Sequence, residues 1–174
     1  MHRGPGEVDE EFADYVRSRQ QRLLRAAYLV CGDEHLAHDL LQGALIKLAL
    51  HWPKVRDEHP DAYVRRILYR DAVSAWRRRR REVVSPGDAL AAVPAPERLE
   101  DRVDRVDLMR ALAQLAPRQR AVIVLRYFED RSEREIAEIL GVSPGTVKSQ
   151  AHDALRRLRE IVPDLTLEAP GGVR

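Results

Sequence analysis

Between Glu82 and Glu100 the chain loses its helical rhythm, in the stretch EVVSPGDALAAVPAPERLE, where Pro86, Gly87, Pro94 and Pro96 deny any long helix or central strand. This break constrains the fold more than any other feature. It leaves two flanking pieces of roughly 70 residues, each too short for a barrel enzyme and long enough for one small helical domain. With 5% aromatics and 9 glycines the chain lacks the material of an all-β sandwich, while 44% hydrophobic residues suffice to fill a core. The expected fold class is all-α, with two small helical domains joined by a flexible linker. The first covers residues 9–82, the linker 83–102 and the second 103–161. A flexible tail over 162–174 carries Pro163, Pro170, Gly171 and Gly172.

Hydrophobic periodicity places the helices. Phe12, Val16, Leu23, Ala27 and Val30 form one stripe over residues 12–31, and Gly32 followed by Asp33 reads as a stop and a start. Leu36, Leu40, Ala44 and Leu48, widened by Leu41 and Leu45, predict a helix over 33–52 that Pro53 closes. A third helix, over 61–81, turns Val64, Ile67, Leu68, Ala72 and Ala75 inward and most of its arginines outward. The second half predicts helices over 99–115, 117–128, 133–140 and 144–161, with Pro117 suited to a first helical position.

The last two helices form the most specific motif. Ser132 and Glu135 have the spacing of a capping box, Gly141 supplies a left-handed turn, and Ser143 caps again before Pro144. Two helices crossing steeply need a small residue, a turn-maker four positions on and an apolar anchor six further, which Ala137, Gly141 and Val147 provide. With Val147, Ala151, Ala154, Leu155 and Leu158 inward, the outward residues Thr146, Lys148, Ser149, Gln150, His152 and Arg156 can reach base edges and phosphates in a major groove. This is a helix-turn-helix. The competing reading, a plain helical hairpin with a solvated basic face, does not explain why caps, turn and inward residues agree.

The formal net charge is only +2, but the positive charge is concentrated. Arg77, Arg78, Arg79, Arg80 and Arg81 are consecutive and follow Arg65, Arg66 and Arg70 on a helix interleaved with Tyr63, Tyr69 and Trp76. Such a surface can neutralise phosphates while rings stack on exposed bases. Taken alone, an arginine run is as readily a solvated helix end; beside a helix-turn-helix in one short chain, the nucleic-acid reading gains weight.

Other classes are poorly supported. The single Cys31 cannot form an internal disulfide, residues 1–10 lack an apolar signal core, and no run approaches the roughly 18 apolar residues of a membrane span. A reduced, cytoplasmic protein with no membrane insertion is expected. Cys31, His35 and His38 have weak metal spacing and no fourth ligand, so no metal and no cofactor are expected. No nucleophile motif or phosphate-cradling glycine loop suggests an enzyme.

Several segments in order resemble the extracytoplasmic-function (ECF) group of the sigma-70 family of bacterial promoter-specificity subunits. They are Ala37-His38-Asp39-Leu40-Leu41-Gln42, the helix from Tyr63 with its basic end, Leu115-Ala116-Pro117-Arg118-Gln119-Arg120-Ala121-Val122, and Gly145-Thr146-Val147-Lys148-Ser149. The resemblance implies a non-catalytic subunit whose partners are core RNA polymerase and promoter DNA. The first domain would dock on the clamp helices of the largest subunit through Asp39, Leu40, Leu41 and Gln42, and the second on the flap of the second-largest subunit. Tyr63, Arg66, Tyr69, Arg70 and Arg77 to Arg81 would hold the opened −10 strand, with loop residues 56–60 lining a base pocket. Thr146, Lys148, Ser149, Gln150, His152 and Arg156 would read the −35 element. Regulation by a separate anti-sigma factor is common in that family.

Three departures stand out. Arg70 replaces the asparagine usual on the strand-binding helix and is expected to hold phosphate instead; Gln150 and Asp153 stand where arginines are frequent; Gly43 replaces a common acidic residue. The alternative is a stand-alone helix-turn-helix transcriptional regulator, which leaves the arginine helix and the Asp39–Gln42 segment without roles; an adaptor that binds no DNA explains still less. On the sigma reading the free protein is expected to be compact, with both DNA-facing helices poorly placed until polymerase separates the domains.

Overall fold

A computed structural model describes residues 5–82, 102–163 and 167. The expected linker, except Arg102, and the tail, except Val162, Pro163 and Leu167, lie outside the described residues. Seven α-helices follow one another: α1 Pro5–Cys31, α2 Glu34–Val55, α3 Pro60–Glu82, α4 Arg102–Ala113, α5 Pro117–Ile123, α6 Glu133–Leu140 and α7 Pro144–Ile161. Among the described residues there is no strand.

Helices α1 to α3 pack against one another through Leu23, Ala27 and Val30, then Leu41, Ala44 and Leu48, then Val64, Leu68 and Ala72; on α2 the buried face is turned from the predicted stripe, with Ala37 buried and Leu36 and Leu40 only half-buried. Trp52 closes this core, its ring 5.2 Å from those of both Phe12 and Tyr15. Gly32 takes the left-handed turn (φ +74°) that the α1–α2 corner needs, and the Asp33 carboxylate accepts from the Leu36 amide at 2.7 Å. The Tyr15 hydroxyl donates to Asp61 at 2.8 Å, tying α1 to the start of α3.

Two boundaries differ from expectation. Helix α1 begins at Pro5 rather than near residue 12, and Glu11 on its added turns pairs with Arg56 at 3.3 Å. Helix α2 runs through Pro53 to Val55. The proline removes one amide donor, and the acceptor this leaves over belongs to Ala49, an exposed residue.

Helices α4 to α7 form a second core around Leu112, Leu115, Ile123, Ile136, Val147 and Leu158. The helix expected over 117–128 changes form at Val124. Val124–Phe128 is a π turn, the Glu129 amide donates to the Val124 carbonyl at 3.1 Å, and Asp130 leaves in the left-handed region at φ +56°. The helix-turn-helix has the expected caps: Ser132 accepts from the Glu135 amide at 3.3 Å while Glu135 accepts from the Ser132 amide at 2.9 Å. Gly141 has φ +65°, and Ser143 accepts from the Thr146 amide at 3.1 Å.

The two groups pack on each other, α3 against α5 and α6, and α1 against the π turn. The C-terminal end of α1 records this directly. Residues 26–31 are all buried, which a helix packed on one side cannot achieve, since its period leaves roughly half of each turn outward.

Candidate nucleic-acid interface

Helix α7 has the build of a groove-reading helix. Val147, Ala151, Ala154 and Leu158 anchor it, while Lys148, Ser149, His152 and Arg156 are exposed and Thr146 and Gln150 half-buried. The Ser143 and Thr146 hydroxyls are 2.9 Å apart at its start, and Ser149 donates to the Thr146 carbonyl at 3.0 Å, so the hydroxyls facing the groove are already oriented. Its principal packing neighbours are α5, α6 and α4, and among the described residues its outer face is exposed.

Helix α3 is different. Arg66, Arg70, Arg77 and Arg78 are exposed and Tyr63 is half-buried, its ring 5.6 Å from that of His51. The side chains of Arg79, Arg80 and Arg81 lie outside the described residues. Tyr69 departs from expectation: it is 1% exposed, so in this arrangement it offers no ring for stacking. Burial pushes its phenol well above the ordinary range, and nearby Glu129 adds to the effect. Beneath the start of α3 lies a cleft of about 390 Å³ lined by Tyr15, Arg19, His59, Asp61 and Arg66 on one side and by Arg131, Glu135 and Glu138 of the second group on the other. Burial works against the Asp61 charge, but the hydrogen bond from Tyr15 and the guanidiniums of Arg65 and Arg19 outweigh it and hold that carboxyl below its ordinary range.

Three buried charged residues escaped the sequence reading, which treats arginines on amphipathic helices as outward. Arg65 and Glu129, both 2% exposed, pair across the two groups at 2.5 Å. Burial disfavours the Arg65 charge, yet Glu129 and Asp61 prevail and hold its pKa above the ordinary value. Arg120, 1% exposed, donates from Nε to the Leu29 carbonyl at 2.5 Å, a free acceptor in the last turn of α1. With no carboxylate partner, burial pulls its pKa down to about 10. The only sequence signal for Arg120 is its place at the head of the apolar run Ala121 to Leu125.

On α2, Asp39 and Gln42 are exposed and Leu40 is half-buried. Leu41 departs from the expected docking surface: it is only 7% exposed, packs inward and lines an apolar groove with Phe12, Val16, Leu45 and Ile46. Exposed Ile46 and Leu50, outside the predicted stripe, extend the apolar surface of this helix. Cys31 is buried and donates to the Asp33 carbonyl, whereas His35 and His38 are exposed, so the three share no pocket.

Residues 15–82 match Sigma-70 region 2, and residues 105–158 match Sigma-70, region 4. The chain belongs to the sigma-70 family, whose members bind core RNA polymerase and promoter DNA and are not themselves enzymes. Within it the chain is an alternative sigma factor. It is 44% identical over 160 residues to the RNA polymerase sigma-E factor of Streptomyces coelicolor, covering 91% of this chain and 90% of that one. It is 33% identical to the ECF RNA polymerase sigma factor SigL of Mycobacterium tuberculosis, over 87% of this chain and 86% of that one. The sigma factor RpoE of Bartonella quintana, solved in complex with the anti-sigma factor NepR, superposes with a TM-score of 0.68 at 27% identity, over 90% of this chain and 99% of that one. Among the described residues, no helix is long and apolar enough to cross a membrane.

Proposed function

We propose that this sigma factor divides promoter recognition between residues 103–161, which read the −35 duplex, and residues 9–82, which dock on polymerase and hold the opened −10 strand, with 83–102 as linker and 162–174 as tail. The observation that carries this reading is the exposed face of α7, where Lys148, Ser149, His152 and Arg156 stand together beside a capped helix start. Thr146 and Gln150 complete the base-reading edge, and the helix N-terminus adds favourable charge at the phosphate backbone.

Arg66, Arg70, Arg77 and Arg78, continued by Arg79 to Arg81, neutralise the phosphates of the single strand, and Tyr63 and loop residues 56–60 flank the captured base. Tyr69 joins that surface only when the two groups part. Asp39 and Gln42, three residues apart on one exposed helix face, make the polar contacts to the clamp of the largest polymerase subunit, with Leu40 alongside. The second group meets the flap of the second-largest subunit. The protein works in the cytoplasm, without metal or cofactor, and an anti-sigma factor of the kind bound by the Bartonella quintana protein is a fitting regulator.

Run-off transcription with core RNA polymerase on fragmented genomic DNA, with and without this protein, tests the reading. Discrete new 5′ ends preceded by two spaced elements are expected. If no new ends arise while the protein alone shifts a palindromic duplex, a stand-alone regulator replaces it.

A further inference from the structure

We propose that α1 sets base selectivity at the −10 element: its stripe Glu11, Tyr15 and Arg19 holds both ends of loop 56–60 and so fixes the walls against which an unstacked base is read. The inference rests on the assignment of that loop to the captured base.

Residues 11, 15 and 19 stand four apart and so share one face of α1. Helix α2 ends at Val55 and α3 starts at Pro60, which leaves only residues 56–59 between them. At the entry to this short connection, Arg56 donates from Nη1 to the Glu11 carboxylate at 3.3 Å. At the exit, Asp61 Oδ1 accepts from Tyr15 Oη at 2.8 Å and lies 3.5 Å from Arg19 Nε, while Arg65 Nη1 is 3.3 Å from Oδ2. Between the two anchors Asp57, Glu58 and His59 are exposed.

The anchors are themselves held. Trp52, in the last turns of α2, packs between the rings of Phe12 and Tyr15, which fixes the ring that carries the Tyr15 hydroxyl. Burial, and then the hydrogen bond to Asp61, push the Tyr15 phenol well above its ordinary range, so it stays a donor throughout the working pH range. The α1 backbone sets Glu11 and Tyr15 about 6 Å apart along its axis, and the two ends of the loop are pinned to that spacing.

These contacts suit positioning better than stability. The side chains of Glu11, Asp61 and Arg19 remain about a third to a half exposed, and ion pairs at such positions contribute little to folding. Tyr15, Arg19, Glu58, His59 and Asp61 line one cleft, so the brace stands directly behind the surface on which a base would rest. Each oxygen of Asp61 already has a partner, which makes it a support for the loop and not a reader of the base. A site discriminates between similar ligands only when its walls are held to within about 0.5 Å by neighbours that need not touch the ligand.

The test uses the full chain with core RNA polymerase on a promoter found by run-off mapping, in which each −10 position carries all four bases in turn. Transcript yields at limiting polymerase give a preference for each position. Asp57→Ala with Glu58→Ala and His59→Ala marks the position that the loop reads. Where a wrong base there costs the native protein about tenfold, Glu11→Gln with Tyr15→Phe should reduce the penalty to about threefold or less. Preference at the other −10 positions, dependence on the −35 element and binding to core should hold, with thermal melting to show that the double variant is folded. If it melts near the assay temperature, the single variants are read instead. Glu11 stands outside the cleft lining, so Glu11→Gln alone should give part of the effect by way of Arg56; no effect from it overturns the entry anchor. Yields lowered alike for every base, or an unchanged preference, overturn the brace while the loop assignment stands. If the alanine loop alters preference at no position, the loop assignment fails and the brace fails with it.

Discussion

Helices α3 and α7 are both basic and both assigned to DNA, yet the chain treats them oppositely. The outer face of α7 is open and its polar side chains are held by their own helix. Helix α3 has one arginine buried in an ion pair, one tyrosine sealed off and a cleft faced by carboxylates from the other group. Under the proposed function the difference matches what each would have to bind. A duplex presents its donors and acceptors ready made, so its reader needs only fixed polar groups. An unpaired strand is held by rings and guanidiniums, which also attract any single strand or acidic surface nearby.

Substitutions can break or sharpen this contrast. The largest effect is expected from Leu158→Ala, a fully buried core position of α7, at about 2–5 kcal/mol of stability. If the two groups act as one unit, calorimetry shows a single lowered transition; a transition lost from the second group alone means that the contact between them contributes little to folding. Next, Arg77→Ala with Arg78→Ala should lower open-complex formation by roughly ten- to a hundredfold while core binding holds, since two phosphate contacts are lost. Equal loss of core binding would take the strand away from α3. Lys148→Glu should then cost about tenfold at promoters with a −35 element, read by run-off transcription.

The smallest effect is a pH dependence confined to the second group. The backbone and hydroxyl hydrogen bonds from Ser132 hold the Glu135 carboxyl below its ordinary range, with Arg131 adding to them. Its folded pKa is depressed, so its contribution is full above the ordinary carboxylate range and fades as pH falls through the lowered value. Ser132→Ala removes the hydroxyl's share of this hold and leaves the backbone amide's, so the gap in Tm between it and the native chain should narrow modestly between about pH 6 and about pH 3. A constant gap would show that the Ser132 hydroxyl does not act through the carboxylate charge.

The sequence was most readable where local chemistry decides the structure. Ser132, Glu135, Gly141 and Ser143 each act within four residues, and caps, turn and α7 face all follow from them. The inward stripe of α7 was equally legible, because a period of 3.6 is a local property, whereas on α2 the buried face is turned toward Ala37 and Leu41, away from the predicted Leu36 and Leu40. What was not legible depends on distant surfaces. Nothing around Arg65 distinguishes it from Arg66 next to it, yet one is buried and the other exposed. Their fates separate only because Glu129, 64 residues away, meets one of them. Tyr69 and residues 26–31 were misjudged for the same reason: a second surface covers what one stripe would leave outside. Pro53 was read as a stop because the rule against proline in a helix takes no account of where along an exposed last turn the lost hydrogen bond falls.

The π turn at Val124–Phe128 gives the molecule a gauge of angular phase. Each residue in an α-helix advances the chain by about 100°, so one extra residue taken up in a wider turn swings everything beyond it around the axis by that amount. Glu129 sits immediately after this offset. Were Val124–Phe128 to take the ordinary α pitch with the sequence unchanged, composition and charge would stay the same and the Glu129 carboxylate would point away from Arg65. The coupling between the two halves is thus written in the pitch of a single turn.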